Sequence, residues 1–446
     1  MTTPSVGRAP GSAYSPEIGH AAPSHVDRDW SFGQRLGFRF ALVYVVLYTF
    51  PGPFYALGSV SRLFGWYQSL WRPVVPWVGR VVLRLAHPVT GQPGGGDSLF
   101  AWVQVFATLS IAAIAALVWT AIARRQRSHP KLFAAFRLYL RFTLASILFL
   151  YGFDKVIPNQ FEPLGPYRLT EYFGEASPGG FAWSFLGSSV AYTIFAGAGE
   201  VAAGLLLLFR RTSTLGALLG AAVMTNVFML NMSYDIPVKQ FSLHLLLMCV
   251  GLAACDGRRL ADVFIRQRTA EPPRQVELFT TRRALFIARI AGVVLGVWLV
   301  GEHVNREVTL LRRFGRLAPR GPLYGIFDVE EFVKNGVMQP PLLTDATRWR
   351  RLSSSSRGTT VRLATDSLVS FRLRTDTVKR VATLTPGQDT VHKAVLAYAF
   401  PDSDHLVLRG RIGRDSVELR LHRRSESSYL LVNREFHWVN EAPFFR

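Results

Sequence analysis

Three side chains set in or beside apolar runs have the chemistry of proton transfer: Lys155, His244 and Tyr234. A desolvated lysine can act as a base and a neutral imidazole can relay a proton near physiological pH, with the Tyr234 phenol as a further chemically suitable group. Around them stand groups suited to a supporting polar network: Arg141, Glu200, Asn231, Asp235 and Lys239. Arg141 lies in the middle of one apolar run and Glu200 in the middle of the next. Each is expensive there, at least about 2.5–3.5 kcal/mol at a helix centre, so an Arg141–Glu200 ion pair is the expected neutralisation. The 18 residues from Arg137 to Lys155 span about five helical turns, which puts both ends of that basic series on one face with Gly152 between them. The polar turn from Asn231 to Lys239 has two readings. Tyr234, Asp235 and Lys239 satisfy one another, or they wall a pocket with Lys155 and His244.

The elements that must position these groups are apolar runs of bilayer length, about 18–22 residues each. Seven are expected, at 38–54, 99–123, 132–153, 189–209, 215–232, 241–254 and 284–300. Small residues in the run of Glu200 (Ala196, Gly199, Ala203, Gly204) and the Gly216/Gly220 spacing in the following run suit close helix packing. Residues 62–85 carry four arginines, two prolines and three tryptophans, which fits an interfacial helix better than a span. Residues 1–34 read as a disordered tail with no signal-peptide pattern. Basic residues in short loops favour the cytoplasmic side. Arg124, Arg125, Arg127 and Lys131, then Arg210 and Arg211, then Arg258, Arg259, Arg266 and Arg268 alternate correctly for a cytoplasmic N-terminus and an exoplasmic or periplasmic C-terminal domain. The later run Arg306, Arg312, Arg313, Arg316 and Arg320 falls on the opposite side.

The chain has 446 residues, 49% of them hydrophobic, and a formal charge of +21. Its two cysteines, Cys249 and Cys255, lack the spacing of a disulfide scaffold, a thiol-redox pair or a zinc site. Texture changes near Gly321. Alternating runs at 359–363, 368–373, 378–384, 394–400, 405–412, 416–422 and 429–434 predict antiparallel strands in a barrel or a sandwich. Residues 347–446 carry 18 basic and 10 acidic side chains, so anionic lipid or an acidic partner fits better than nucleic acid, for which no motif accompanies the charge. Phe436, Trp438, Phe444 and Phe445 are expected to plug this domain. No metal site is expected: Asp328, Glu330 and Glu331 lack the histidine or glycine-loop spacing that would make them one.

The block Leu150-Tyr-Gly-Phe-Asp-Lys155-Val-Ile-Pro, the glycine-rich Glu200 run ending in Arg210-Arg211, the Leu215 to Gly220 start, the Asn231 to Lys239 turn and Asp256-Gly-Arg-Arg-Leu260 resemble the DoxX family of the wider DoxD-like membrane proteins. The resemblance covers about residues 132–264 and implies a four-helix membrane bundle in the cell inner membrane. It further implies contact with a quinone and a redox partner protein, since relatives include quinone-reactive subunits. More distantly, the setting of Lys155 is similar to that of the hydroquinone-deprotonating lysine of vitamin K-dependent carboxylases. The rest of the carboxylase pattern has no counterpart here.

The expected architecture is thus an α-helical polytopic membrane protein of about seven spans, with a C-terminal antiparallel β-domain. Its parts are a tail (1–34), two helices with an interfacial segment (35–131), the DoxX-like bundle (132–264), a loop, seventh helix and connector (265–320), and the β-domain (321–446). Two functions compete. One is handling of a quinone or other small lipid in an intramembrane polar pocket by Lys155, His244 and Tyr234, with no resident cofactor identified. The other is a non-catalytic scaffold whose β-domain binds an envelope partner.

Overall fold

The computed structural model describes residues 29–54, 60, 62–92, 96–270, 276, 278–355, 358–387, 393–434 and 437–440. The helices are α1 (Phe32–Thr49), α2 (Gly65–Trp77), α3 (Leu99–Ile122), α4 (Pro130–Val156), α5 (Pro166–Thr170), α6 (Pro178–Ser188), α7 (Val190–Leu208), α8 (Ser213–Ser233), α9 (Lys239–Ala254), α10 (Gly257–Phe264), α11 (Arg282–Arg313) and a short α12 (Leu430–Asn433). Five of them, α3, α4, α7, α8 and α11, are long and apolar enough to cross a membrane. The pair α9–α10, bent by 74°, makes a sixth if counted as one broken element.

These five match expected runs, and two expected runs depart from the pattern. The 38–54 run is displaced to Phe32–Thr49. Its start is fixed by a capping box between Ser31 and Gln34, and Pro51 and Pro53 follow directly on its end. The 241–254 run forms a helix of 16 residues, about 24 Å long at 1.5 Å per residue, short of a bilayer core of about 30 Å. Conversely α11 continues past 300 to Arg313, with no proline before Pro319 to stop it.

Helix α4 is the centre of the bundle. Leu144, Ala145, Leu148 and Phe149 are buried against Ala203 and Leu207 of α7, Ala217 and Met224 of α8, Leu245 and Leu252 of α9, and Leu299 of α11. Packing is most extensive between α4 and α7, and two glycines make it possible. A Cβ on Gly152 would stand 3.0 Å from the Val201 nitrogen, and one on Gly197 would stand 2.6 Å from the Gly152 oxygen. The outward faces are as apolar as the core. Trp102, Ile114, Leu117, Val118 and Ile122 of α3 and Val293, Val294 and Val297 of α11 are all exposed. Helix α2, in the segment expected to be interfacial, buries Tyr67, Trp71 and Val75 toward Phe100, Val103 and Ala107 and exposes Trp66, Leu70 and Trp77.

The bundle has two distinct ends. At one, the basic loops gather: the Trp30 nitrogen donates to the Arg127 carbonyl, and Asp256 accepts from Arg137 (3.0 Å) and Thr214 (2.7 Å). At the other, residues 157–189 meet the β-domain.

That domain is a closed antiparallel barrel of β1 (Gly325–Lys334), β2 (Val337–Met338), β3 (Trp349–Ser354), β4 (Thr359–Leu363), β5 (Leu368–Asp376), β6 (Val381–Pro386), β7 (Ala394–Ala399), β8 (His405–Ile412) and β9 (Asp415–Arg424). Consecutive strands pair, β1 closes on β9, and β2 is a short return on β1. Alternate residues fill the interior, among them Phe327, Trp349, Leu352, Val361, Leu384, Leu396, Leu408 and Leu419. The barrel replaces the open choice between barrel and sandwich. Three expectations are corrected here. Residues 429–434 hold α12 rather than a strand, β1, β2 and β3 are added, and Trp438 is 90% exposed rather than a buried plug. Phe436, Phe444, Phe445 and residues 1–28 of the tail lie outside the described residues.

Barrel and bundle are joined by specific contacts. Thr170 of α5 and Ser353 of β3 share a hydroxyl hydrogen bond of 3.1 Å. Arg362 of β4 is buried, donates to Glu175 (2.9 Å) and the Thr170 carbonyl, and lies 4.1 Å over the Tyr172 ring. A guanidinium that stacks and forks in this way fixes orientation as well as distance.

Candidate functional site

The glycine-lined contact between α4 and α7 carries, among the described residues, a deeply buried ion pair. Because Gly152 and Gly197 let α4 and α7 touch, the Lys155 ammonium reaches both carboxylate oxygens of Glu200 at 2.9 Å. It also donates to the Tyr151 carbonyl (3.3 Å) and lies 5.8 Å from that residue's ring. Glu200 is 1% exposed and Lys155 8%, so the pair is shielded from water. The predicted Arg141–Glu200 pair is therefore wrong. Arg141 sits nearer the basic-loop end of α4, where its Nε and Nη2 donate to the carbonyls of Leu207 (3.0 Å) and Leu208 (2.9 Å). It caps α7, satisfying carbonyls that a helix C-terminus leaves open. Along α4, Arg137 reaches Asp256, Arg141 the carbonyls ending α7, and Lys155 reaches Glu200. These three cations meet three different acceptors.

His244 belongs elsewhere. Its Nδ1 donates to the Gln240 carbonyl (2.7 Å), which leaves Nε2 as acceptor for the Tyr44 hydroxyl (2.5 Å). Its ring stacks on Tyr48 with centroids 4.0 Å apart. This imidazole therefore ties α9 to α1. Tyr234 is half-buried at the barrel end, its ring 6.3 Å from that of Phe181. Asp235 pairs with Lys239 at 2.7 Å and is largely exposed. Asn231 donates to the Ser242 hydroxyl at 3.0 Å. The start of α9 is capped by Asp97, which accepts from the backbone nitrogens of Lys239 (2.7 Å) and Gln240 (3.0 Å). Within this turn Asp235 and Lys239 satisfy one another, and the Tyr234 ring meets Phe181. Lys155, His244 and Tyr234 each meet a different set of neighbours: Glu200 and Tyr151, then Tyr44, Tyr48 and Gln240, then Phe181.

Groups that sequence reasoning passed over lie beside Lys155. Asn159, just past α4, donates through Nδ2 to the side chain and to the carbonyl of Glu307 (2.8 Å each). Glu307 is wholly buried, pairs with Arg306 at 2.5 Å and is also hydrogen-bonded to the Asp154 carboxyl group. One helical turn earlier, His303 is wholly buried, and neither ring nitrogen has a hydrogen-bond partner among the described residues. The signal was available. Gly296, Leu299, His303, Glu307 and Leu311 recur at helical spacing, and the last three lie beyond the apolar run that ends at 300.

A further buried cation sits at the basic-loop end. Arg39 of α1 is 1% exposed. It donates to His129 Nε2 (2.9–3.1 Å) and the Thr120 hydroxyl (2.8 Å), and lies 5.4 Å over Trp119. Burial and then the Arg39 charge push the His129 imidazole below its ordinary range, so it accepts in the neutral form. Among the described residues no group of three or more His, Cys, Asp or Glu side chains is arranged to hold a metal ion.

No family model and no solved structure matches this chain. A stretch of 134 residues, 29% of the chain, is 38% identical to the uncharacterised protein YwoB of Bacillus subtilis (strain 168) and covers 80% of that protein. At that identity and coverage the chain belongs to the same family as YwoB.

Proposed function

We propose that the chain is an integral membrane protein of the cell inner membrane, a DoxX-like bundle acting as a non-catalytic base for the barrel. The tail is cytoplasmic and the barrel exoplasmic or periplasmic, where it meets an envelope partner. The observation that carries this reading is the dispersal of the candidate chemistry. Lys155 is closed by Glu200, His244 by Tyr44 and Gln240, and the Tyr234 ring meets Phe181, so each contacts a different neighbour and acts as a joint between helices. The apolar outward faces of α3 and α11 support lipid contact, since patches of that size on a water-facing monomer invite association. The Arg362 and Thr170 contacts support a barrel held at a fixed place on the bundle.

A second reading, handling of a quinone or small lipid with a redox partner protein, draws on Asp154, Lys155, Glu200, Asn159, Glu307 and His303 near one end of α4. Such a density of ionisable groups in an apolar bundle is a frequent mark of function. Mass spectrometry of lipid extracts from the purified full-length chain separates the two. The scaffold reading expects no stoichiometric quinone. A quinone retained by the native chain and lost in Lys155→Ala overturns it. Alkaline washing of vesicles tests the membrane reading, which expects the chain to stay with the lipid. Protease access from one side tests the orientation.

A further inference from the structure

At the seam between barrel and bundle lies a cleft of about 370 Å³. Its walls come from the loop after α4 (Gln160, Glu162), from Tyr167 and Arg168, from Trp183 of α6, from the connector after α11 (Gly315, Arg316, Arg320, Tyr324), and from Ser355 and Glu426 of the barrel domain. Three guanidinium groups face this space. Arg168 is matched by Glu171 at 2.6 Å. Arg320 lies 4.5 Å over the Tyr324 ring, and among the described residues neither it nor Arg316 takes part in an ion pair. The cleft is thus a walled space with two uncommitted forked cations and three amphipathic rings. Guanidinium groups match phosphate oxygens in pairs, and Trp and Tyr belong where an apolar body meets a wet edge.

We infer that this cleft binds the phosphodiester headgroup of a membrane lipid, with Arg316 and Arg320 on the phosphate oxygens. The volume falls in the lower part of the range for small-molecule sites, about 300–1,000 Å³, and so suits a headgroup better than a whole lipid. Its position is suitable too. The cleft begins within a few residues of the ends of α4 and α11, and the exposed Phe314 and Leu317 flank Arg316, giving acyl chains an apolar path toward the bundle. Glu162 and Glu426 line the same space. They oppose a phosphate dianion more than a singly charged diester, which selects the lipid over free phosphate. The inference rests on the membrane reading of the bundle.

The test uses the full-length chain in an uncharged sugar detergent, titrated with short-chain phosphatidylglycerol or with inorganic phosphate while the thermal unfolding midpoint is followed. Phosphatidylglycerol should raise the midpoint saturably and inorganic phosphate should do so less. Arg316→Gln/Arg320→Gln should weaken the lipid effect at least about tenfold, the loss expected when charge-assisted hydrogen bonds to an anion are removed. Arg312→Gln/Arg313→Gln removes the same charge from the same stretch, outside the cleft lining, and should leave the effect intact. Both variants alter exposed side chains, and circular dichroism checks their fold. Equal loss in the two variants means general electrostatic attraction and overturns the site. So does the absence of saturation, while phosphate acting as well as the lipid overturns the headgroup assignment. A chain that alkaline washing releases but that still binds the lipid probe would sink the membrane reading and leave the cleft standing.

Discussion

Removing one partner of the Lys155–Glu200 pair should destabilise the bundle far more than removing both. The ammonium contacts both carboxylate oxygens at 2.9 Å, and the two residues are 8% and 1% exposed. At that separation the Coulomb attraction is about 6 kcal/mol for an effective dielectric of about 20, most of it offset by the cost of dehydrating two ions. The pair is therefore close to neutral as a unit. Each half alone is a buried, unsatisfied charge. Lys155→Met and Glu200→Leu singly should each cost about 3–5 kcal/mol, whereas the double variant should fall within about 1–2 kcal/mol of the native chain or exceed it. The assay is reversible unfolding in mixed micelles for all four chains, with the coupling energy taken from the cycle. Gly152 and Gly197 are untouched in every chain, so helix approach is constant across the cycle. If the single substitutions cost less than about 1 kcal/mol, water reaches the pair and the closed geometry is refuted. If the double variant costs as much as the two singles summed, the groups do not act on each other.

Gly197→Ala should cost about 1–3 kcal/mol or block expression, because its Cβ would lie 2.6 Å from the Gly152 oxygen, a backbone atom. Gly251→Ala in α9 has nothing within 4 Å and should be neutral or stabilising by up to about 1 kcal/mol, measured in the same unfolding assay. The His129 pKa lies below its unfolded value, so the unfolded chain takes up a proton first as pH falls through about 6.5. Stability should be unaffected by this group above that pH and should decline below it until the folded-state value is reached. His129→Gln, which keeps an acceptor for Arg39, should flatten that part of the pH profile. Arg362→Ala should cost about 1.5–3 kcal/mol through lost charge-assisted hydrogen bonds, and it should expose the loop 157–189 to limited proteolysis while the barrel keeps its strand signal.

Apolar length was legible in the sequence because spanning and packing both require it. The runs that became α3, α4, α7, α8 and α11 needed only a hydropathy pattern, and the barrel strands β4 to β9 needed only period-two alternation with turn residues between. Strand β1 escaped for a physical reason. A register shift between Val329 and Glu331 breaks its alternation, and Asp328 on it holds Arg351 (2.5 Å) and Arg424 (2.9 Å), so the strand reads as a charged connector. The closing pair β1–β9, which makes the sheet a barrel, joins residues almost a hundred apart and has no local signature.

The site was legible in its residue types and not in its pairings. Arg141 and Glu200 both occupy the middle of apolar runs, and depth alone made them partners. Which cation reaches Glu200 is decided by where two helices touch, and that depends on Gly152 and Gly197, which stand three residues before Lys155 and three residues before Glu200 on their own helices, whereas Arg141 lies eleven residues from Gly152. An arginine at 141 has a nearer sink, the free carbonyls ending α7, and a guanidinium satisfied by two carbonyls has no need of a carboxylate. The same logic separates His244 from Lys155. A half-buried imidazole bonded to Tyr44 and stacked on Tyr48 is fixed in one tautomer by the Gln240 carbonyl, so its proton is committed to a helix-to-helix joint.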